Sequence, residues 1–362
     1  MKQIFSILLF TICIHTSVIA QRAQVNDCGT LPPTPEYFQG LKNLRTFRNE
    51  NVLATYPLLM KVFVTVVAND NGTSVAAPDS SIFRQLENMR RFYALHNICF
   101  LFAGKQQVNN TDLNMHDVST EIGDITPFVV ENMLNIFIHT GLVEGTQTLN
   151  GFSYGIPGMI VSIVSTAILD GSNITTLTHE LGHNFGLVHT HETAGGTETV
   201  ARSGDCMNCW EAGDGLCDTE ADPNLDNFPV NSSCVYTGTA SDECGWMYTP
   251  NPRNIMAYGN RSCRNFFTEG QAWSARFWIE NTPFLIQCIA PDDINMVFSF
   301  TQSSGRAWVL SRNTITINAA SYQIIGSSQT DFISARTILK PGVRLSPGNN
   351  GYIRLHQNIL CQ

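Results

Sequence analysis

The sequence predicts an α/β domain, a mixed twisted sheet packed over a histidine-bearing helix, followed by a small β-rich domain. Three observations predict it. A β-branched run at 58–67 is followed by a helical spacing of apolar residues at 80–95, with Ile82, Leu86, Met89 and Phe92 three and four apart. Further strand-like runs stand at 98–102, 134–140 and 159–164, ahead of a second helical segment at 174–187 that carries Leu177, Leu181, Phe185 and Leu187. Beyond Cys288 helix signals give way to Ser, Thr, Ile and Asn, with alternation at 313–317. Strand, helix, strand, strand and helix in that order describe one α/β half-domain. The Gly-, Asp- and Asn-rich stretch from His189 to Cys263 then forms an irregular lower half beneath a cleft. The expected boundaries are a leader at 1–20, a short pro-segment or N-terminal extension at 21–56, polar and irregular with Pro32, Pro33 and Pro35 near its start, the main domain at 57–288 and the β-rich domain at 289–362.

The leader has a positive start at Lys2, a short apolar stretch at 4–14 and small residues before Gln21, which is a secretory signal pattern. That stretch is too short to span a bilayer, and no later run is long and apolar enough to do so. The chain is therefore expected outside the cell, with no membrane span. Its formal charge of −9 becomes −10 once Lys2 is removed, which argues against nucleic acid or anionic lipid as a partner. Ten of its eleven cysteines lie beyond the leader, and in an exported chain they read first as disulfides. From residues 206 to 244 they are dense, in a stretch that lacks the periodicity to hold itself together.

Residues 179–189 read His-Glu-Leu-Gly-His-Asn-Phe-Gly-Leu-Val-His. His179 and His183 are four apart, so on a helix they share a face and can grip one metal ion. Glu180 stands beside them as a general base toward a metal-bound water. Gly186 ends the helix and returns His189 as a third imidazole. Three neutral histidines with one open position are the ligand set of a catalytic zinc rather than a structural one. His191, two residues on, is expected to face elsewhere as a solvated or supporting imidazole.

With these residues in view, the chain resembles the metzincins, and more narrowly the pappalysins, also called cytophagalysins. The resemblance rests on the extended histidine motif and on Asn254-Ile-Met-Ala-Tyr258, which matches a methionine turn. It rests further on Gly213-Asp-Gly-Leu-Cys-Asp-Thr219 and on Phe267-Thr-Glu-Gly-Gln271. It covers about residues 58–288. It implies a metzincin-type catalytic domain and a secreted zinc endopeptidase acting on proteins or peptides, with Met256 beneath the three imidazoles. It also implies disulfides Cys217–Cys244 and Cys234–Cys263, with Cys206–Cys209 and Cys288–Cys361 as the remaining guesses. Tyr258 would stabilise the reaction's oxyanion, or else serve as a core aromatic. Cys28-Gly29-Thr30 matches a pro-segment element in which the thiolate takes the open zinc position and holds the enzyme latent until cleavage after Arg45 or Arg48. An ordinary Cys28–Cys99 disulfide is the alternative. Relatives bind Ca²⁺ near Asp205, Asp214, Asp218 and Asp222, with Asp218 and Thr219 the expected contributors here, although Asp and Gly are also ordinary turn residues. Competing functions are a zinc hydrolase of small molecules and a non-catalytic adhesin or binding protein on a protease fold. The C-terminal domain is expected to bind a surface or substrate, or to cap the fold.

Overall fold

The computed structural model describes residues 25–50, 56–227, 229–297, 300–302, 305–318, 322–343, 345–347, 349 and 351–357. The expected leader at 1–20 and Cys361 lie outside them. Strand β1 (Val25–Cys28) and helix α1 (Pro35–Glu50) precede β2 (Leu58–Ala68), α2 (Asp79–Ala94), β3 (Ile98–Asn109), β4 (Met115–Asp117) and α3 (Ile122–Ile125). Next come β5 (Leu134–His139), β6 (Gly141–Glu144), β7 (Gln147–Ser153), β8 (Ile160–Val164), α4 (Ser165–Leu169) and α5 (Thr176–Asn184). After a long irregular stretch, α6 (Glu269–Asn281) and α7 (Pro283–Cys288) close the α/β half.

Eight strands form one mixed sheet in the order β3-β2-β5-β8-β7-β6-β4, with β1 alongside β7. Strands β3, β2, β5 and β8 run parallel, and β7 turns antiparallel to β8. The period of two along β2 builds both sides of the sheet. Leu58, Met60, Val62, Val64 and Val66 enter the large core beneath α2 and α5, while Leu59 and Phe63 enter a second core on the opposite face. Helix α2 buries Ile82, Met89 and Tyr93 as its spacing demands, and the Tyr93 hydroxyl donates to the Thr178 carbonyl of α5 at 2.9 Å.

The stretch at 21–56, expected to be irregular, contains a strand and a sixteen-residue helix. Pro35 suits the first turn of a helix, because its missing N–H would have no partner there. Tyr37, Leu41 and Leu44 lie on one face and pack with Val188, Leu216, Trp273 and Phe277. That spacing was legible, but the three prolines before it suggested a loop.

The C-terminal residues form three sheets whose strand pairs are all parallel. One contains β9 (Asp293–Met296), β12 (Thr314–Ile317) and β15 (Arg336–Leu339), and the second β10 (Phe300–Gln302) and β13 (Tyr322–Ile324). The third contains β11 (Arg306–Leu310), β14 (Gln329–Ser334) and β16 (Tyr352–Gln357). Asp293, Thr314 and Arg336 stack in register, as do Arg306, Gln329 and Tyr352, so the chain coils as a solenoid of roughly 22 residues per turn. Ile315, Ile317 and Phe332 fill its axis. Leu310, Ile333 and Trp308 pack on the back of the main sheet, against Leu59, Phe63 and Leu101.

Candidate active site

Helix α5 brings His179 and His183 onto one face, and its ending delivers His189. Gly186 has φ +76°, in the left-handed region that a side chain disfavours. Its N–H donates to the His183 carbonyl at 2.9 Å, and Leu187 N–H donates to the Gly182 carbonyl at 2.8 Å. These two bonds make a Schellman end, which satisfies the last helical carbonyls while reversing the chain. A Cβ on Gly186 would stand 2.1 Å from Trp278 Cδ1, so space as well as conformation requires glycine.

The three Nε2 atoms converge at 3.1–3.2 Å from one another. Their orientation is set from behind. His179 Nδ1–H donates to the Ile255 carbonyl at 2.7 Å and His183 Nδ1–H to the Leu187 carbonyl at 2.8 Å. A ring that donates through Nδ1 presents a lone pair at Nε2, the form a metal needs. Burial pushes the pKa values of all three down, that of His183 to about 4, so they are neutral near neutral pH. Three unprotonated nitrogens this close repel one another unless a cation lies between them. The donor set therefore fits a metal ion, and Cys28 Sγ belongs to the same group, whose ligand atoms all lie within 4.8 Å of one another. His191 takes another place. Its ring stacks on His189 at 4.9 Å and lies tilted against Tyr258 at 4.5 Å, half-buried, so that it flanks the third imidazole from the side.

Strand β1 lies along the outer edge of β7 with Cys28 opposite Gly151, and so delivers Cys28 to the centre. Cys28 is a free, buried thiol, which excludes the Cys28–Cys99 bridge. Its sulfur stands 3.4 Å from His183 Nε2 and donates to Glu180 Oε2 at 3.3 Å. Burial first, and then the Glu180 carboxylate, push the thiol pKa up. Thr30 Oγ1 donates to Glu180 Oε2 at 3.2 Å and accepts from Ser153 N–H at 2.9 Å. Gly29 fits between them because a Cβ there would meet Leu149 Cδ1 at 2.6 Å. The Tyr258 hydroxyl donates to the Cys28 carbonyl at 3.1 Å. The N-terminal segment therefore engages Glu180, Tyr258 and the histidine cluster at once.

The methionine turn sits below. Met256 is fully buried, and a Cβ on Gly182 would stand 2.5 Å from its sulfur, so the turn presses directly on the metal helix. Asn254 and Gln271 exchange two amide hydrogen bonds at 3.0 and 3.1 Å, and Asn254 Oδ1 also accepts from Met256 N–H at 2.8 Å. Gln271 and Thr268 form a capping box at the start of α6, where Asp218 Oδ2 accepts from Gly270 N–H at 2.6 Å. The three short motifs that set this chain apart thus meet at one junction under the histidines. Gln271 was missed as a supporting residue. The signal was the Thr-x-x-Gln cap preceding a hydrophobic helix.

Two expected cysteine pairings are corrected. Cys206 joins Cys244 and Cys209 joins Cys217, in place of Cys217–Cys244 and Cys206–Cys209, while Cys234 joins Cys263. A side-chain carboxylate and a backbone turn accompany this pairing. Asp242 Oδ2 accepts from Val200 N–H, which carries the 242–246 turn to Cys206. The Asn208 carbonyl accepts from Glu211 and Ala212, turning the chain back so that Cys217 reaches Cys209. Cys288 is a free buried thiol, so the Cys288–Cys361 pairing is dropped, and Cys99 is disulfide-bonded.

The acidic residues separate into different roles. Asp218 caps α6, as above, and Asp222 accepts from the Thr190 hydroxyl at 2.6 Å. Glu198 and Asp214 are buried, and both Glu198 oxygens and Asp214 Oδ2 accept no hydrogen bond. Arg202 Nη2 is 3.0 Å from Glu198 Oε1, close enough for charge attraction although not aligned as a hydrogen bond. Burial and mutual repulsion push Glu198 up to about 9, and burial pushes Asp214 up to about 7. Thr219 donates its hydroxyl to Asp214 Oδ1 at 2.8 Å.

Residues 128–277 match the family model described as pregnancy-associated plasma protein-A. Among curated proteins, the chain is similar to an extracellular metalloprotease of Verticillium alfalfae, 25% identical over 301 residues, covering 76% of this chain and 97% of that protein. It is also similar to one of Colletotrichum graminicola, 26% identical over 294 residues, covering 74% and 94%. Among solved structures it resembles a promirolysin variant of Tannerella forsythia, with a TM-score of 0.51 and 16% identity over 72% of this chain and 96% of that one. That likeness is one of fold.

Replacing Gly186 with alanine should cost about 1–2 kcal/mol for the left-handed residue alone, before the collision with Trp278. Thermal melts and metal content after dialysis would check this. Unchanged melting and metal retention would remove the turn from the metal site.

Proposed function

We propose that this chain, whose residues 128–277 match the family model of pregnancy-associated plasma protein-A, is a pappalysin, a secreted zinc endopeptidase made as a latent precursor. One observation carries the reading: three imidazole Nε2 atoms converge beside Glu180, with the Cys28 thiol facing them. Relatives named extracellular metalloproteases support secretion, and no helix among the described residues is long and apolar enough to cross a membrane.

His179, His183 and His189 would hold the metal, and a zinc ion there would supply Lewis acidity toward the scissile carbonyl and toward a water. Glu180 does the proton work. Its carboxylate lies beside the ligands on the same helix, where it takes a proton from the attacking water and passes it to the departing amine. Tyr258, ring to ring with His189 at 4.6 Å, directs its hydroxyl into the cleft. In the latent chain that hydroxyl binds the Cys28 carbonyl; once the segment has left, it can donate to the oxygen of a cleaved peptide bond.

Latency follows from what the N-terminal segment occupies. Cys28 takes the coordination position, Thr30 the general base, and β1 the edge of β7 along which an extended substrate would pair. Helix α1 anchors the segment through Tyr37, Leu41 and Leu44, and Arg45 and Arg48 lie in its last turns, where cleavage would sever the latch from the chain that follows.

A calcium ion at Glu198, Asp214 and Thr219 completes the proposal, with Asp218 outside the ligand set because its carboxylate is committed to α6. Buried carboxylate oxygens without hydrogen bonds fit a hard cation. This site would fix the stapled loop that carries Gly213–Thr219.

Glu180→Ala should retain zinc and lose cleavage of casein by about 10²–10⁴-fold, with metal analysis and a peptidase assay as readouts. If that protein cleaves normally, Glu180 is not the base. Cys28→Ala should show early activity or self-digestion, whereas undiminished latency would sink the latch. For calcium the sign is set by raised carboxyl pKa values. Without the ion, the stability due to protonated Glu198 and Asp214 is fully present below the unfolded value near 4 and is lost as pH rises through 7 to 9. Added Ca²⁺ should therefore raise the melting temperature more at pH 8 than at pH 5, and Glu198→Gln should abolish the difference. Equal increments at both pH values would count against the site.

A further inference from the structure

A groove of about 370 Å³ remains where the solenoid meets the main sheet, bounded by β3 on one side and by β14 and β16 on the other. Residues 100–104 all line it. Successive side chains of a strand point to opposite faces, so a groove touching five in a row runs along the strand's edge. Strand β3 ends the sheet. Among the described residues it pairs with β2 and has no neighbour on its other side, which leaves a row of backbone groups open to a further strand.

The facing wall carries positive charge that is already oriented. Asp331 is buried, and its Oδ2 accepts from Arg306 Nε and Nη2 at 3.0 and 2.9 Å. His356 Nε2 lies 3.2 Å from the other oxygen. The strand register places Arg354 beside Asp331, and its guanidinium lies over the Tyr352 ring, 4.2 Å from the centroid. Arg354 has no carboxylate within ion-pair distance among the described residues. The Trp308 indole N–H is buried without an acceptor and lies against Gly104, where a Cβ would stand 2.8 Å from it. Two guanidiniums line the groove against one acid, on a chain whose formal charge is −9.

We propose that this groove binds an extended acidic peptide segment, which adds a strand to β3 and places a carboxylate on Arg354. A backbone ladder confers affinity and the charged side chains confer selectivity. An acidic polysaccharide could use the arginines but not the strand edge. The groove lies at the opposite end of the sheet from β7, so a segment held there docks away from the catalytic cleft and needs no cleavage to be detected.

The test uses the full chain carrying Glu180→Ala, to prevent digestion, and a labelled peptide of about ten alternating Thr and Glu residues followed by fluorescence anisotropy. The peptide should bind, and more weakly as salt is raised. A Thr/Lys peptide should not bind, and Arg354→Glu should weaken binding roughly tenfold or more. Arg354→Lys, which keeps the charge, should retain most of the affinity, and Arg354→Glu should melt at the parent's temperature, which separates lost charge from lost folding. The proposal is overturned if the acidic peptide does not bind, if Arg354→Glu binds it equally, or if the Lys peptide binds as well. It is likewise overturned if dextran sulfate binds with the same dependence on Arg354 while the peptide does not.

Discussion

Two backbone carbonyls behind the imidazoles govern this structure. Ile255 and Leu187 each accept an Nδ1–H, and each comes from a segment with its own reason to be where it is. Leu187 follows the left-handed Gly186, whose turn is both a helix end and the return path to His189. Ile255 belongs to the methionine turn, which Asn254 ties to Gln271 and hence to α6. Ligand orientation thus rests on a helix cap and a buried amide pair, which together aim the three Nε2 atoms at one point.

The same economy explains how one short segment reaches the centre. A strand added to the edge of β7 needs only backbone complementarity to take its position, and the register then carries Cys28 to the histidines. Gly29 lets that strand approach Leu149 and Phe152 closely. Thr30 bridges Glu180 and Ser153, so the same segment holds both the glutamate beside the histidines and the end of β7. The edge that β3 leaves open among the described residues, at the far end of the sheet, faces a different wall, with Arg306, Asp331, Arg354 and His356 on it.

The lower half depends on covalent and polar ties rather than on regular elements. Across the described residues from His189 to Cys263 the order comes from three disulfides, from turns such as the backbone turn at Asn208 and the one capped by Asp242 Oδ1, and from Asp218 on the first turn of α6. Buried Glu198 and Asp214 stand out in that setting, because their oxygens would lower stability if charged and uncompensated.

Much of the catalytic half was legible in the chain, because its information is local. Four-residue spacing puts two histidines on one face, a glycine ends the helix, and alternating apolar residues define β2 whatever lies around them. Helix α1 was legible too, in the spacing of Tyr37, Leu41 and Leu44, but the prolines before it drew attention away. Cysteine connectivity was not, since spacing does not reveal which turns Asn208 and Asp242 bring together. The solenoid escaped notice because its rungs share inward apolar positions rather than a repeated motif. Sequence alone determined which residues could bind a metal and move a proton. Only the tertiary structure decided that Asp218 caps a helix while Glu198 and Asp214 are left buried together, that His191 supports His189, and that Cys28 meets the histidines. Each of those depends on contacts between segments far apart in the chain, whose direction no local pattern encodes.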